Sequence, residues 1–269
     1  MHPKRQPAEA AQRPVAPPAG ATWSVSRPAT IGIIGGMGPD AGVDLAAQFL
    51  LACRQWLTTR GLPINDQLYP PHLLIQRPIA DRSRAITHGG PDPLEGIVDA
   101  CRVAIEAGAT TLGIACNTAH LWYPQIALAS APARVLHIAE IAAQAVARGG
   151  FRRAALMATA VTCASGLYHE SMARHGVEVV DMTPAQSEDI QRAIYDGVKA
   201  GNYSLARTLA DGVARALLEH AECIVMACTE LPLALQQAEW LDRRRAIDAT
   251  AALAFALAQE AFRPCETVA

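Results

Sequence analysis

Lysine is nearly missing from this chain. Lys4 and Lys199 are its only two in 269 residues, and 23 Lys and Arg against 25 Asp and Glu leave a formal charge of -2. No basic excess remains to neutralise a phosphate backbone, so nucleic acid is not an expected partner. Aromatic residues make up only 5% and charged residues 18%, against 51% hydrophobic. The interior must therefore be built from Ala, Leu, Ile and Val, and global disorder is excluded. Long apolar runs are missing too. Gly, Thr, Asn, Arg or His interrupts every aliphatic stretch before the roughly 18 residues a membrane-spanning helix needs. A soluble protein with no membrane partner is expected.

The seven cysteines, Cys53, Cys101, Cys116, Cys163, Cys223, Cys228 and Cys265, are odd in number and scattered. In a chain this long that does not make a disulfide framework, and free thiols in a reducing cytoplasm are expected. The first 29 residues place Lys4, Arg5, Arg13 and Arg27 among Pro and Ala without a continuous apolar segment. They read as a disordered, dispensable tail and not as a secretory signal.

From residue 30 onward, aliphatic runs of about five residues alternate with longer segments of helical period, the pattern of parallel strands covered by helices. The spacing predicts strands over 30–35, 72–76, 111–115, 134–138, 154–158, 177–181 and 222–227. Helices are predicted over 40–58, 93–107, 118–129, 140–148, 165–175, 185–200, 204–220 and 247–262. The chain is long enough for two compact domains, and two stretches echo each other. Residues 30–45 and 154–168 each run from an apolar strand through a loop into a helix. Each is followed by a strand that ends in cysteine, at Cys116 and at Cys228. The fold class this implies is α/β, two similar doubly wound parallel sheets, each with its ligand-facing residues at the carboxyl ends of the strands. Two such ends facing across a cleft would bring Cys116 and Cys228 to one small ligand.

Three segments could carry chemistry. Gly35, Gly36, Met37, Gly38, Pro39 and Asp40 form a strand-to-helix loop whose backbone N–H groups can bind an anion. Gly36, Gly38 and Ala41 match the dinucleotide spacing, but Thr58, Thr59 and Arg60 stand where the ribose-binding acid should be, so a nicotinamide cofactor is not expected. In Cys116-Asn117-Thr118-Ala119-His120 and in Cys228-Thr229-Glu230, a thiol ends a strand just before a capping residue and a helix. A helix N-terminus there would lower the thiol pKa. Cys116 and His120 are four apart, yet no second clustered pair completes a metal site, and none is expected; His120 reads as a group that orients its neighbours. Pyridoxal phosphate would need a Schiff-base lysine, and Lys199 lies late in a helical segment.

At these residues the sequence resembles the cofactor-independent aspartate/glutamate racemase family, most closely its aspartate racemase branch. The resemblance is carried by Gly35–Pro39, Cys116–His120 and Cys228–Glu230, with further agreement over 79–83, 89–93 and 195–202. It implies two α/β domains related by a pseudo-twofold with the active site between them. One comprises 30–131 plus a returning C-terminal segment 246–269, and the other 132–245. It also implies a homodimer, no cofactor, and Cys116 and Cys228 as the catalytic pair. Arg82 and Lys199 are implied as binders of the substrate's side-chain carboxylate, although Ala80 replaces a proline common in the family. Thr229-Glu230, where glutamate racemases have Thr-His, points to the aspartate or broader-specificity branch.

Racemisation takes a proton from one face of Cα and returns one to the other, which two thiols flanking a cleft can do, one starting as thiolate. Donors must then stabilise charge building on the α-carboxylate. The expected substrate-binding set is Met37, Gly38, Arg82, Asn117, Thr118, Thr159, Lys199, Thr229 and Glu230. Two other functions fit the same residues: a cysteine-dependent isomerase or decarboxylase of dicarboxylates, and a non-enzymatic binder of acidic amino acids.

Overall fold

In the computed structural model, which describes residues 28–263, eight strands form two parallel sheets with one topology written twice. The first half runs β1 (Ile31–Gly35), α1 (Pro39–Thr59), β2 (His72–Gln76), α2 (Arg82–His88), α3 (Leu94–Glu106), β3 (Thr111–Ile114), α4 (Tyr123–Ala129), β4 (Arg134–Val135) and α5 (Ile138–Arg148). The second runs β5 (Arg153–Met157), α6 (Ala160–Ala164), α7 (Leu167–Arg174), β6 (Glu178–Val180), α8 (Pro184–Arg192), α9 (Tyr203–Leu218), β7 (Cys223–Met226), α10 (Leu231–Leu235), β8 (Ala246–Asp248) and α11 (Ala249–Ala261). The orders are β2-β1-β3-β4 and β6-β5-β7-β8. In each sheet the connections reverse direction between the two central strands, β1 and β3 or β5 and β7, and that is where an open α/β sheet offers its crevice.

Apart from Thr111 at the start of β3 and exposed Arg153 at the start of β5, the central strands are apolar, because both of their faces are covered. All residues of β1, β3 and β7 are buried. Successive side chains serve different layers, as the strand period of two requires. Cys223 and Val225 join the core between the two sheets, whereas Ile224 and Met226 join the core under the outer helices of the second sheet. Helices α1, α5, α7 and α11 fill the space between the sheets, and their Leu45, Phe49, Ala142 and Leu257 share one continuous core with Ile31, Leu156 and Val225. Burying each such Leu, Ile or Phe is worth about 1.5–3 kcal/mol. The C-terminal helix α11 returns to α1, where Phe262 stacks on Trp56 at 3.9 Å between centroids. Gly113 makes this return possible, since a Cβ there would stand 2.6 Å from Leu257 Cδ1.

Several elements differ from the sequence expectation. The strand expected over 134–138 stops at Val135, because His137 caps α5 by accepting from the Glu140 N–H at 3.3 Å. The helix expected over 118–129 divides into a 3₁₀ turn, Thr118–Trp122, and α4, with Pro124 in the first turn of α4. The helix expected over 165–175 starts only at Leu167, after left-handed Gly166 at φ +75°, and α6, Ala160–Ala164, occupies part of the stretch expected as a loop. The helix expected over 185–200 is α-helical only to Arg192, then forms a π turn, Ala193–Gly197, and a 3₁₀ turn, Val198–Ala200. Residues 246–248 form an edge strand, not the start of a helix, and Asp248 caps α11 through the N–H groups of Thr250 and Ala251 at 2.8 and 3.1 Å. The short α2, capped by Asp81, was not anticipated. Residues 1–27 of the expected tail, and Cys265, lie outside the described residues.

Candidate active site

The loop after β1 is shaped by Gly36, whose φ of +86° and whose position 1.9 Å (as a would-be Cβ) from the Arg77 carbonyl oxygen admit no side chain. The turn sends the Met37 carbonyl toward α2, where it accepts from Arg82 Nη2. Arg82 Nη1 donates to the carbonyls of Ala80 and Ile79 at 2.9 and 3.3 Å. Burial opposes its charge, but the adjacent Cys116 sulfur, Asp81 and Glu230 outweigh that and raise its pKa further. The guanidinium is thus fixed by backbone carbonyls beside Cys116, with Nε buried and without a partner among the described residues. It is less free to reach a ligand's side chain than the sequence suggested.

Cys116 follows β3, and His120 lies beneath it instead of beside the cavity. His120 is 1% exposed, with Nδ1 2.9 Å from the Cys116 carbonyl and Nε2 3.3 Å from that of Leu136. Burial pushes its pKa down to about 4, so the ring is neutral and braces the backbone turn. Asn117 does not cap the 3₁₀ turn, as the sequence predicted, because its φ and ψ are helical. Its Oδ1 instead accepts from the Tyr168 hydroxyl in α7, across the two halves. The halves are also tied by a triangle of buried hydroxyls. Thr118 Oγ1 lies 2.9 Å from Thr162 Oγ1 and 3.5 Å from Thr159 Oγ1, and Thr159 and Thr162 are 2.9 Å apart.

Cys228 follows β7 at the corresponding place in the second sheet. Its Sγ donates to Glu230 Oε2 at 3.0 Å, and Thr229 Oγ1 donates to the same oxygen at 3.1 Å. Glu230 Oε1 pairs with Lys199 Nζ at 2.7 Å. The expected acidification of this thiol by a helix N-terminus is overturned: α10 has only five residues, and burial, then the Glu230 charge, raise the Cys228 pKa well above the ordinary range. Cys228 therefore carries its proton at neutral pH. Lys199 reaches Glu230 because it stands on the 3₁₀ turn directly after the π turn, an interruption of the kind that often marks functional segments. Burial lowers its pKa, but Glu230 more than compensates, so Lys199 remains charged.

Met37, Arg82, Cys116, Asn117, Thr118, Thr159, Lys199, Cys228, Thr229 and Glu230 all line one cavity of about 30 Å³ between the carboxyl ends of the two sheets. Gly38 borders it, since a Cβ there would lie 3.3 Å from both Glu230 Oε1 and Lys199 Nζ. Cys116 and Cys228 are only 6% and 7% exposed, and both line this cavity. Four lining residues were not singled out: Asp81, Ser83, Ile194 and Tyr195, whose hydroxyl donates to Ser83 Oγ at 3.1 Å. They fall in or beside the stretches 79–83 and 195–202, so the signal was present without assignment to a site. The other described cysteines lie elsewhere, and burial pushes the thiols of Cys53, Cys163 and Cys223 up to about 12 and that of Cys101 to about 11. Among the described residues no three His, Cys, Asp or Glu side chains are grouped to hold a metal ion, and no helix is long and apolar enough to cross a membrane.

With this geometry in hand, comparison with known proteins is specific. The family model described as Asp/Glu/Hydantoin racemase matches residues 34–257. The broad specificity amino-acid racemase RacX of Bacillus subtilis is 27% identical over 210 residues, covering 75% of this chain and 85% of RacX. The structure of an aspartate racemase from Picrophilus torridus superposes with a TM-score of 0.75 at 26% identity, over 87% of this chain and 94% of that one. A glutamate racemase from Francisella tularensis, solved with D-glutamate, shares the fold alone, with a TM-score of 0.55 at 13% identity over 86% of this chain and 80% of that one.

Proposed function

The chain belongs to the Asp/Glu/Hydantoin racemase family, an isomerase class, and from that premise we propose that it is a cofactor-independent racemase of acidic amino acids, aspartate first. One observation carries the reading: two cysteines, each ending a central strand of its own sheet, line a single narrow cavity. Their surroundings differ in a way that suits a two-base reaction. Cys228 holds its proton against Glu230, and Arg82 sets a cation against the sulfur of Cys116. In this scheme Cys116 takes the Cα proton from one enantiomer, while the Cys228 thiol delivers its own proton to the opposite face. That turnover leaves the proton on Cys116 and the negative charge on Cys228, and this form of the pair takes the Cα proton of the other enantiomer.

The proton leaving Cα puts negative charge on the α-carboxylate, and donors already in place offset that charge without reorganising. Asn117, Thr118, Thr159, Thr229 and the backbone N–H groups at 36–38 are assigned to this carboxylate. Lys199 and Arg82 are assigned to the side-chain carboxylate, which must compete with Glu230 for the ammonium group. A homodimer in a reducing cytoplasm completes the reading, in keeping with six described cysteines that are all unpaired.

A second reading, broader specificity, draws on that competition and on the likeness to RacX: a cation already neutralised by Glu230 selects weakly for a substrate carboxylate. Circular dichroism of each enantiomer of aspartate, glutamate and several neutral amino acids separates the two, using purified protein without pyridoxal phosphate. Acidic selectivity predicts signal decay for aspartate at a rate well above alanine or serine. Equal rates favour the broader reading, and decay only with added pyridoxal phosphate overturns both.

A further inference from the structure

Tyr168 lies in α7, outside the cavity, and is the largest of the fully buried side chains. A buried phenol keeps a hydrogen-bond partner, and here it is Asn117 Oδ1, contributed by the other half of the molecule. Burial, with the nearby Asp248 carboxylate adding, raises the Tyr168 pKa well above its ordinary 10, so the hydroxyl is protonated and serves as donor. The two ends of a carboxamide have nearly the same shape, and only hydrogen bonding decides which way it faces. A donor hydroxyl selects the oxygen. The amide nitrogen is then turned elsewhere, and Asn117 Nδ2 is buried with no partner among the described residues, in a residue that is 3% exposed and lines the cavity beside Cys116. An orphaned buried donor is costly to keep in a folded protein.

We propose that Tyr168 is a positioning residue, whose hydroxyl holds the Asn117 carboxamide with its N–H groups presented to the carboxylate of a bound amino acid. The inference rests on the racemase reading and deepens it. Asn117 follows Cys116 directly in the chain, so a donor there stands near the carbon that loses its proton, where the contact strengthens as charge moves onto the carboxylate. The cross-half bond also makes the orientation of this donor depend on the two halves keeping their places.

The test is a double-mutant cycle in the full-length protein, with Tyr168→Phe, Asn117→Ala and the pair assayed for aspartate racemisation. Tyr168→Phe is expected to lower kcat/KM about tenfold in the wild-type background and to add nothing in the Asn117→Ala background. Equal losses in both backgrounds overturn the role, and so does a lower melting temperature with kcat/KM unchanged, since both mean that the hydroxyl only supports packing. Orientation is read without turnover in atomic-resolution crystals. Oδ1 of Asn117 facing the Tyr168 hydroxyl supports the proposal, and Nδ2 facing it refutes the proposal. A wild-type protein that racemises no amino acid would overturn the activity, while the crystals would still decide the orientation.

Discussion

Replacing Glu230 with Gln changes one oxygen for an amide nitrogen and removes the carboxylate that contacts both Cys228 and Lys199 in the cavity. Three contacts are affected: the Cys228 thiol at 3.0 Å, the Thr229 hydroxyl at 3.1 Å and the Lys199 ammonium at 2.7 Å. Breaking a fully buried ion pair costs about 3–5 kcal/mol. The Lys199 side chain is 28% exposed and can turn toward water, so the low end applies, and with Gln still able to accept a hydrogen bond the loss is about 2 kcal/mol. In a protein of this size that is a fall in Tm of about 4–8 °C. The thiol supplies a second readout. Burial contributes most to the raised Cys228 pKa and stays in place, but Glu230 contributes next and is removed. The pH midpoint for alkylation of Cys228 by iodoacetamide, followed on its own peptide by mass spectrometry, should therefore move to lower pH in Glu230→Gln. A variant with the wild-type Tm and an unmoved midpoint would refute the role given to this carboxylate.

Two further perturbations test the frame around the site. Gly36→Ala forces a Cβ to within 1.9 Å of the Arg77 carbonyl at a φ of +86°, and a loss of about 2 kcal/mol or more is expected. Racemisation should fall with it, because Met37 of this loop holds Arg82; wild-type stability by urea unfolding would contradict the strain argument. Burial, with Asp44 adding, raises the carboxyl of Asp248 from the usual 3.8 to about 6. The folded protein then keeps a proton that the unfolded chain has released, so the contribution of this one group to stability is greatest below about pH 3.8 and declines as pH rises through about 6. The gap of about two units corresponds to about 3 kcal/mol. Asp248→Asn should flatten that slope in urea titrations between pH 4 and 7, and an identical slope in both proteins would rule out Asp248 as its source.

The central strands were legible because burial on both faces writes an uninterrupted aliphatic run, as in Ile31–Gly35 and Cys223–Met226. Cys116 and Cys228 stood out because each ends such a run, so parallel topology alone carries them to the crevice. What escaped is what tertiary contact decides. The strand Ala246–Asp248 has only three residues, none fully buried, and its pairing with Ile224–Met226 leaves no periodic signal. Helix Arg82–His88 buries none of its residues and so lacks an apolar stripe. A π turn is invisible to a helical period, and Lys199 was read as the end of a regular helix when it stands on the interruption that aims it at Glu230. The Tyr168–Asn117 bond joins residues 51 apart, through a hydroxyl that any reading of local pattern assigns to the core.

The most direct test follows deuterium from D2O into Cα of aspartate, starting from each enantiomer, with wild-type, Cys116→Ser and Cys228→Ser proteins free of pyridoxal phosphate and metal. Two cysteines acting from opposite faces predict that the wild type inverts Cα with uptake of one solvent deuterium. Each single variant should lose interconversion of both enantiomers by about a thousandfold or more. Full-rate interconversion by either variant would contradict the account.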